Sequence, residues 1–124
     1  MMQIEKEVIL LLGSNVNRHK NLIAAMGALQ PSLFSGWSCS ELLRTSPVGL
    51  DGPDFMNALV KGKTSLSYDD FLKLTKDIER QLGRRPGDKA KGRVIIDIDI
   101  LLFDGMRYHE KDWGREYVKR LMEK

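Results

Sequence analysis

The chain has 124 residues, enough for one domain with one core and too few for two, so residues 1–124 read as a single domain. Hydrophobic residues at 42% and charged residues at 30% exclude intrinsic disorder, and a lone cysteine excludes an internal disulfide or a cysteine-rich zinc site. A net charge of +3 fits nucleic acid, a phosphorylated ligand or neither, and excludes little.

At the N-terminus, acidic Glu5 and Glu7 precede only a short apolar run, Val8–Leu12. Neither a signal peptide nor a membrane span is expected there, and the protein reads as cytoplasmic. The run is stopped by Gly13-Ser14-Asn15 and predicts a central strand buried on both faces. The turn after it either offers backbone amides to a ligand or simply joins strand to helix. Asn17 predicts a side-chain cap on a helix in which Leu22, Met26 and Leu29 recur, ending near Pro31.

Trp37–Thr45 predicts a strand, with Cys39 in it as a small core or sheet residue. The next eight residues, 46–53, hold two prolines and two glycines and form a loop. Phe55–Val60 resumes as a strand, which puts Phe55 and Asn57 on one face. A flat aromatic beside an amide suits a planar heteroaromatic ring; on burial alone Phe55 reads as plain core, and Asn57, an inward-facing amide that needs a partner, tips the balance.

Ser67, with Asp70 three residues on, predicts a capped helix through Phe71, Thr75, Ile78 and Leu82 that ends at Gly83. Glu79 lies on its flank and, on spacing alone, reads as a solvated surface acid. Between residues 84 and 93, Arg84, Arg85, Lys89, Lys91 and Arg93 face Asp88 alone, a cationic loop broken by Pro86, Gly87 and Gly92.

Ile96-Asp97-Ile98-Asp99-Ile100 follows, with both aspartates on one strand face and the isoleucines on the other. That face is expected to continue through Leu101 and Phe103. Paired carboxylates at this spacing repel each other and resist desolvation, and a hard divalent cation is the simplest compensator. The alternative is an amphipathic strand with its polar face in water. After an Asp104-Gly105 turn, Trp113, Tyr117 and Leu121 predict one short amphipathic helix.

The order strand, helix, strand, loop, strand, helix, strand, helix predicts an α+β fold: a ferredoxin-like two-layer or three-layer sandwich, with helices packed on a mainly antiparallel sheet.

Read together, several motifs resemble those of the 6-hydroxymethyl-7,8-dihydropterin pyrophosphokinase family. They are Gly13-Ser14-Asn15, Arg44-Thr45-Ser46-Pro47-Val48-Gly49, Pro53-Asp54-Phe55-Met56-Asn57, Ile78-Glu79 with Gly83-Arg84, and Asp97-Ile98-Asp99-Ile100-Leu101-Leu102-Phe103. The resemblance implies transfer of pyrophosphate from ATP to the pterin hydroxymethyl group, with AMP as the other product, in folate biosynthesis. It implies two Mg²⁺ ions held by Asp97 and Asp99, with Arg84 and Arg93 as catalytic loop arginines. For the pterin it implies Thr45, Pro47, Val48, Phe55, Asn57 and Tyr117. For ATP it implies Glu79, Arg84, Arg93, Ile100, His109 and Arg115.

The partners so implied are small molecules, with no nucleic acid and no membrane; the sequence does not reveal the oligomeric state, and a monomer is only slightly favoured. The chain departs from the family pattern in having Lys91-Gly92-Arg93 where a tryptophan-glycine-proline-arginine run is usual, Pro86 where an arginine is common, and Lys76 where a glutamine often contacts the nucleotide. These departures leave open a homologue that binds pterin or nucleotide without transfer. A ferredoxin-like RNA-binding module is a third reading, although the strands lack the aromatics that stack on bases.

Overall fold

The computed structural model describes residues 4–33, 35–47 and 52–123. The elements run β1 (Lys6–Ser14), α1 (Arg18–Leu29), β2 (Ser35–Cys39), β3 (Leu43–Thr45), β4 (Phe55–Thr64), α2 (Tyr68–Gln81), β5 (Asp97–Phe103), β6 (Met106–Arg107), α3 (Glu110–Trp113) and α4 (Glu116–Met122). All strand pairs are antiparallel, in the order β2-β4-β1-β5-β6, and β3 pairs with the opposite end of β4 from β2. With β2 and β3 counted as one broken edge, this is the ferredoxin-like strand order expected from the sequence.

β1 is central, and Val8 through Ser14 are all buried because sheet neighbours flank the strand and side chains cover both of its faces. One face carries Val8, Leu10 and Leu12 with Val60, Ile98 and Ile100, and packs on Leu22 and Leu29 of α1 and Phe71 and Ile78 of α2. The other carries Ile9, Leu11, Leu59 and Leu101, and packs on Val118 and Leu121 of α4. The sandwich therefore has three layers. The short third layer leaves part of the second face open.

Four local expectations are corrected. The Trp37–Thr45 strand is two strands, β2 and β3. At the break Ser40 keeps β4 satisfied: its hydroxyl accepts from Leu59 N–H (2.8 Å) and its own N–H donates to Leu59 O (2.9 Å). Cys39 is on the sheet edge and exposed.

Asn17 precedes α1 in a left-handed conformation (φ 43°) with no side-chain cap bond; Asn21 Nδ2 donates to Val16 O (2.6 Å) there instead. The C-terminal helix is interrupted at Gly114, so Trp113 ends α3 and Tyr117 belongs to α4.

The fourth correction concerns β5. Ile9 pairs with Leu102 but Leu10 pairs with Ile100, so Leu101 is an extra residue in a β-bulge. The bulge turns Phe103 onto the face opposite the aspartates, where its ring meets Tyr68 edge-on (centroids 5.4 Å apart).

The start of α2 is as the sequence predicts, with Ser67 Oγ accepting from Asp70 N–H (3.1 Å). At its end, Gly83 (φ 107°) donates to Arg80 O and Arg84 N–H donates to Glu79 O, each at 3.0 Å. That pair of bonds is a Schellman motif, and it folds Arg84 back over Glu79. None of the helices described is long and apolar enough to cross a membrane.

Candidate active site

The open part of the second sheet face forms the floor of a cavity of about 380 Å³. Strand register builds that floor. Leu43, Asn57, Gly13 and Asp97 stand in one row across β3, β4, β1 and β5, and the adjoining row runs Leu59, Leu11, Asp99. Phe55, paired with Thr45, extends the floor beyond Asn57. Gly13 keeps the middle of the floor low: a Cβ there would be 3.0 Å from Asn57 Oδ1 and 3.6 Å from Phe55 Cδ2.

At one end, Asn57 is 4% exposed and its Nδ2 donates to Thr45 Oγ1 (2.7 Å), which fixes the orientation of the amide. Tyr117 borders the same cavity, and burial first, then the charge of Asp112, raise its hydroxyl pKa above the ordinary value.

At the other end are the two aspartates. The Asp99 carboxyl is pushed up to about 8, chiefly by burial, then by the charge of Asp97 and a hydrogen bond shared with it. Arg84 Nη1 donates to Asp97 Oδ1 (2.9 Å), Glu79 Oε2 (3.0 Å) and Ile96 O (3.4 Å). Burial works against the charge on Arg84, but Glu79 and Asp97 outweigh it and hold its pKa above the ordinary value.

His109, in a left-handed conformation (φ 56°), brings Nε2 to 4.0 Å from Asp99 Oδ1. Three and six residues on, Asp112 and Arg115 face the same cavity, with Arg115 Nε donating to Asp112 Oδ1 (2.9 Å).

Of the residues expected from the sequence, Thr45, Phe55, Asn57 and Tyr117 line the cavity together with Arg84, Asp97, Asp99, His109 and Arg115. Pro47 is half-buried and off its lining, and Val48 lies outside the described residues. Arg93 is exposed and off the lining as well. Ile100 is 2% exposed, its side chain in the core on the opposite face.

Glu79 corrects the surface-acid reading. It is 3% exposed, bonded to Arg84 and to the N–H of Ile98 (2.8 Å), and it does not line the cavity. Its signal was tertiary, because the spacing within α2 carries no record of the strand packed beneath.

Sequence reasoning missed Gly13, Ser46, Lys89 and Asp112 as lining residues. Asp112 left one legible trace, its i+3 position between His109 and Arg115. Asn15 acts one step back from the cavity: Nδ2 donates to Gly92 O (2.8 Å) and Oδ1 accepts from Val94 N–H (2.7 Å), tying the basic segment to the end of β1.

Asp97 and Asp99 fit a hard divalent cation. They offer only oxygen donors from one strand face, and the burial and the neighbouring Asp97 charge that raise Asp99 are both penalties that a bound cation would offset. Among the described residues no group of three or more His, Cys, Asp or Glu is arranged for a metal. Such a pair suits Mg²⁺, which binds through few carboxylates and completes its shell with water and phosphate.

The chain is thus an α+β sandwich domain with paired acids and cationic side chains around one cavity. The chain belongs to the 7,8-dihydro-6-hydroxymethylpterin-pyrophosphokinase (HPPK) family, whose model matches residues 9–123. It is 36% identical over 127 residues to the 2-amino-4-hydroxy-6-hydroxymethyldihydropteridine pyrophosphokinase of Porphyromonas gingivalis, covering 90% of this chain and 85% of that protein.

It is also 36% identical over 124 residues to the mitochondrial folate synthesis bifunctional protein of Arabidopsis thaliana, covering 92% of this chain. Here the chain spans 22% of the relative's length. A crystal structure of Plasmodium falciparum HPPK-DHPS superposes with a TM-score of 0.61 at 19% identity, covering 82% of this chain and 28% of that one, and it shares the fold.

Proposed function

We propose that this domain transfers pyrophosphate from ATP to the hydroxymethyl group of 6-hydroxymethyl-7,8-dihydropterin, giving AMP and the dihydropterin diphosphate, in the cytoplasm and in folate biosynthesis. The reading rests above all on one cavity holding an aromatic-amide end, Phe55 with Asn57, and a paired-acid end, Asp97 with Asp99. The family match supports it.

On this reading the pterin ring lies on Phe55, its edge read by Asn57 and its other face covered by Tyr117. Thr45 orients the Asn57 amide. Asp97 and Asp99 would hold two Mg²⁺ ions, which supply charge neutralisation on the transferring phosphates when bound. Arg84, His109 and Arg115, with Lys76 and Lys89, line the cavity on the side of the acids and bind the ATP phosphates. Catalysis is then chiefly alignment of hydroxyl and phosphate within a site whose charges are already in position.

A homologue that binds without transfer is favoured by one observation, the position of Arg93 off the cavity lining. Product analysis separates the two. With ATP, Mg²⁺ and the pterin, AMP and a pterin diphosphate are expected in equal amounts. Release of ADP instead, or no AMP above background with pterin still bound, overturns the proposal.

A further inference from the structure

We propose that Glu79 is a positioning residue for the acidic pair, acting on it through the Ile98 amide and through Arg84. The inference rests on the pyrophosphokinase reading for its functional consequence, and on the following geometry for its substance.

β5 is bordered by β1 along one side, but on the other β6 pairs only with Leu102 and Phe103. No strand meets the earlier residues of β5 on that side among the described residues, and a buried N–H there needs a partner from elsewhere. Glu79 Oε2, reaching across from α2, accepts from Ile98 N–H at 2.8 Å. Ile98 stands between the two aspartates, so this bond sets the stretch of backbone from which both carboxylates project.

The same oxygen accepts from Arg84 Nη1 at 3.0 Å, and that nitrogen also donates to Asp97 Oδ1 at 2.9 Å. One buried carboxylate thus governs the backbone between the acids and, through the guanidinium, the rotamer of the first of them. Lys76 Nζ, 3.6 Å from Oε1, adds a second positive charge beside the carboxylate. Glu79 does not line the cavity that holds the acidic pair, so its effect on that pair passes through these partners. Outer carboxylates that orient metal-binding groups commonly matter nearly as much as the groups themselves.

The test uses the full chain, with Glu79→Gln and Glu79→Asp. Gln keeps an oxygen for Ile98 N–H and loses the charge that holds Arg84. Asp keeps the charge and is one methylene too short to serve both partners. Mn²⁺ affinity, measured by electron paramagnetic resonance with ATP present, should weaken by about 10–100-fold while pterin affinity changes by less than about twofold.

The Ile98 amide resonance should move in both variants, and kcat should fall more than the KM for pterin changes. Glu79→Gln combined with Arg84→Ala should lose no more Mn²⁺ affinity than Arg84→Ala alone. Unchanged Mn²⁺ affinity in whichever variant folds overturns the proposal, as do fully additive losses in the double variant. Metal affinity and the amide signal require no turnover. A wild type inactive in the AMP assay would therefore count against the pyrophosphokinase reading alone.

Discussion

Asp99 carries the most displaced carboxyl among the described residues, and its environment makes a signed prediction. Its folded pKa of about 8 lies above the ordinary 3.8, so between those values the folded state holds a proton that the unfolded state has released. Stability of the metal-free protein should therefore fall as pH rises from about 4 to about 8, because the folded form binds more protons there. Asp97→Asn removes the neighbouring charge, and should flatten that slope and leave the metal-free fold as stable or more so at pH 7, while abolishing turnover. Urea unfolding in chelator at several pH values reads the slope. A steeper slope in the variant would contradict this account.

Gly13 offers a second test at the same scale. Its backbone is compatible with alanine, but the added Cβ would stand 3.0 Å from Asn57 Oδ1 in the floor of the cavity. Gly13→Ala should weaken pterin binding by about tenfold or more, at an overpacking cost of roughly 1–3 kcal/mol. Fluorescence titration with the pterin measures the first effect, and unaltered affinity would remove Gly13 from the site.

Among the elements, α2 has a structural start and an end that serves the site. Ser67→Ala removes the Oγ that accepts Asp70 N–H and should cost about 1 kcal/mol with kcat unchanged. Gly83→Ala places a side chain at φ 107°, 3.4 Å from Ile95 Cδ1, and should cost about 1 kcal/mol or more while also lowering kcat. The difference arises because the Schellman turn at Gly83 sets Arg84 against Glu79 and Asp97. Equal kcat in the two variants would deny α2 that role.

In the whole molecule, the sheet is held against its helices by apolar packing remote from the cavity. Leu22 of α1 is fully buried in the main core, and Leu22→Ala should destabilise by about 2–5 kcal/mol. Kinetic constants per folded molecule should stay at wild-type values at temperatures where the variant remains folded. A change in pterin KM at full folding would mean that the two faces of the sheet are coupled.

Local chemistry was legible in the chain where period and spacing alone determine it. The apolar run Val8–Leu12, the Ser67 cap, the Gly83 stop, and the shared faces of Phe55 with Asn57 and of Asp97 with Asp99 follow from alternation and helix-end rules that need no knowledge of neighbours. From their order came the antiparallel sandwich, and from their motifs the family.

Pairing across the sheet and packing between layers decided the rest. The bulge at Leu101 moved Phe103 to the opposite face, Gly114 divided the last helix, and β5 came to rest over α2 so that Glu79 became a buried partner. The bulge and the burial of Glu79 depend on which strand or helix arrives alongside, whereas the break at Gly114 falls at a glycine, a weak helix former by its own propensity. A linear sequence records a residue's own preferences, while burial and charge at a site are set by neighbours that folding brings from far along the chain.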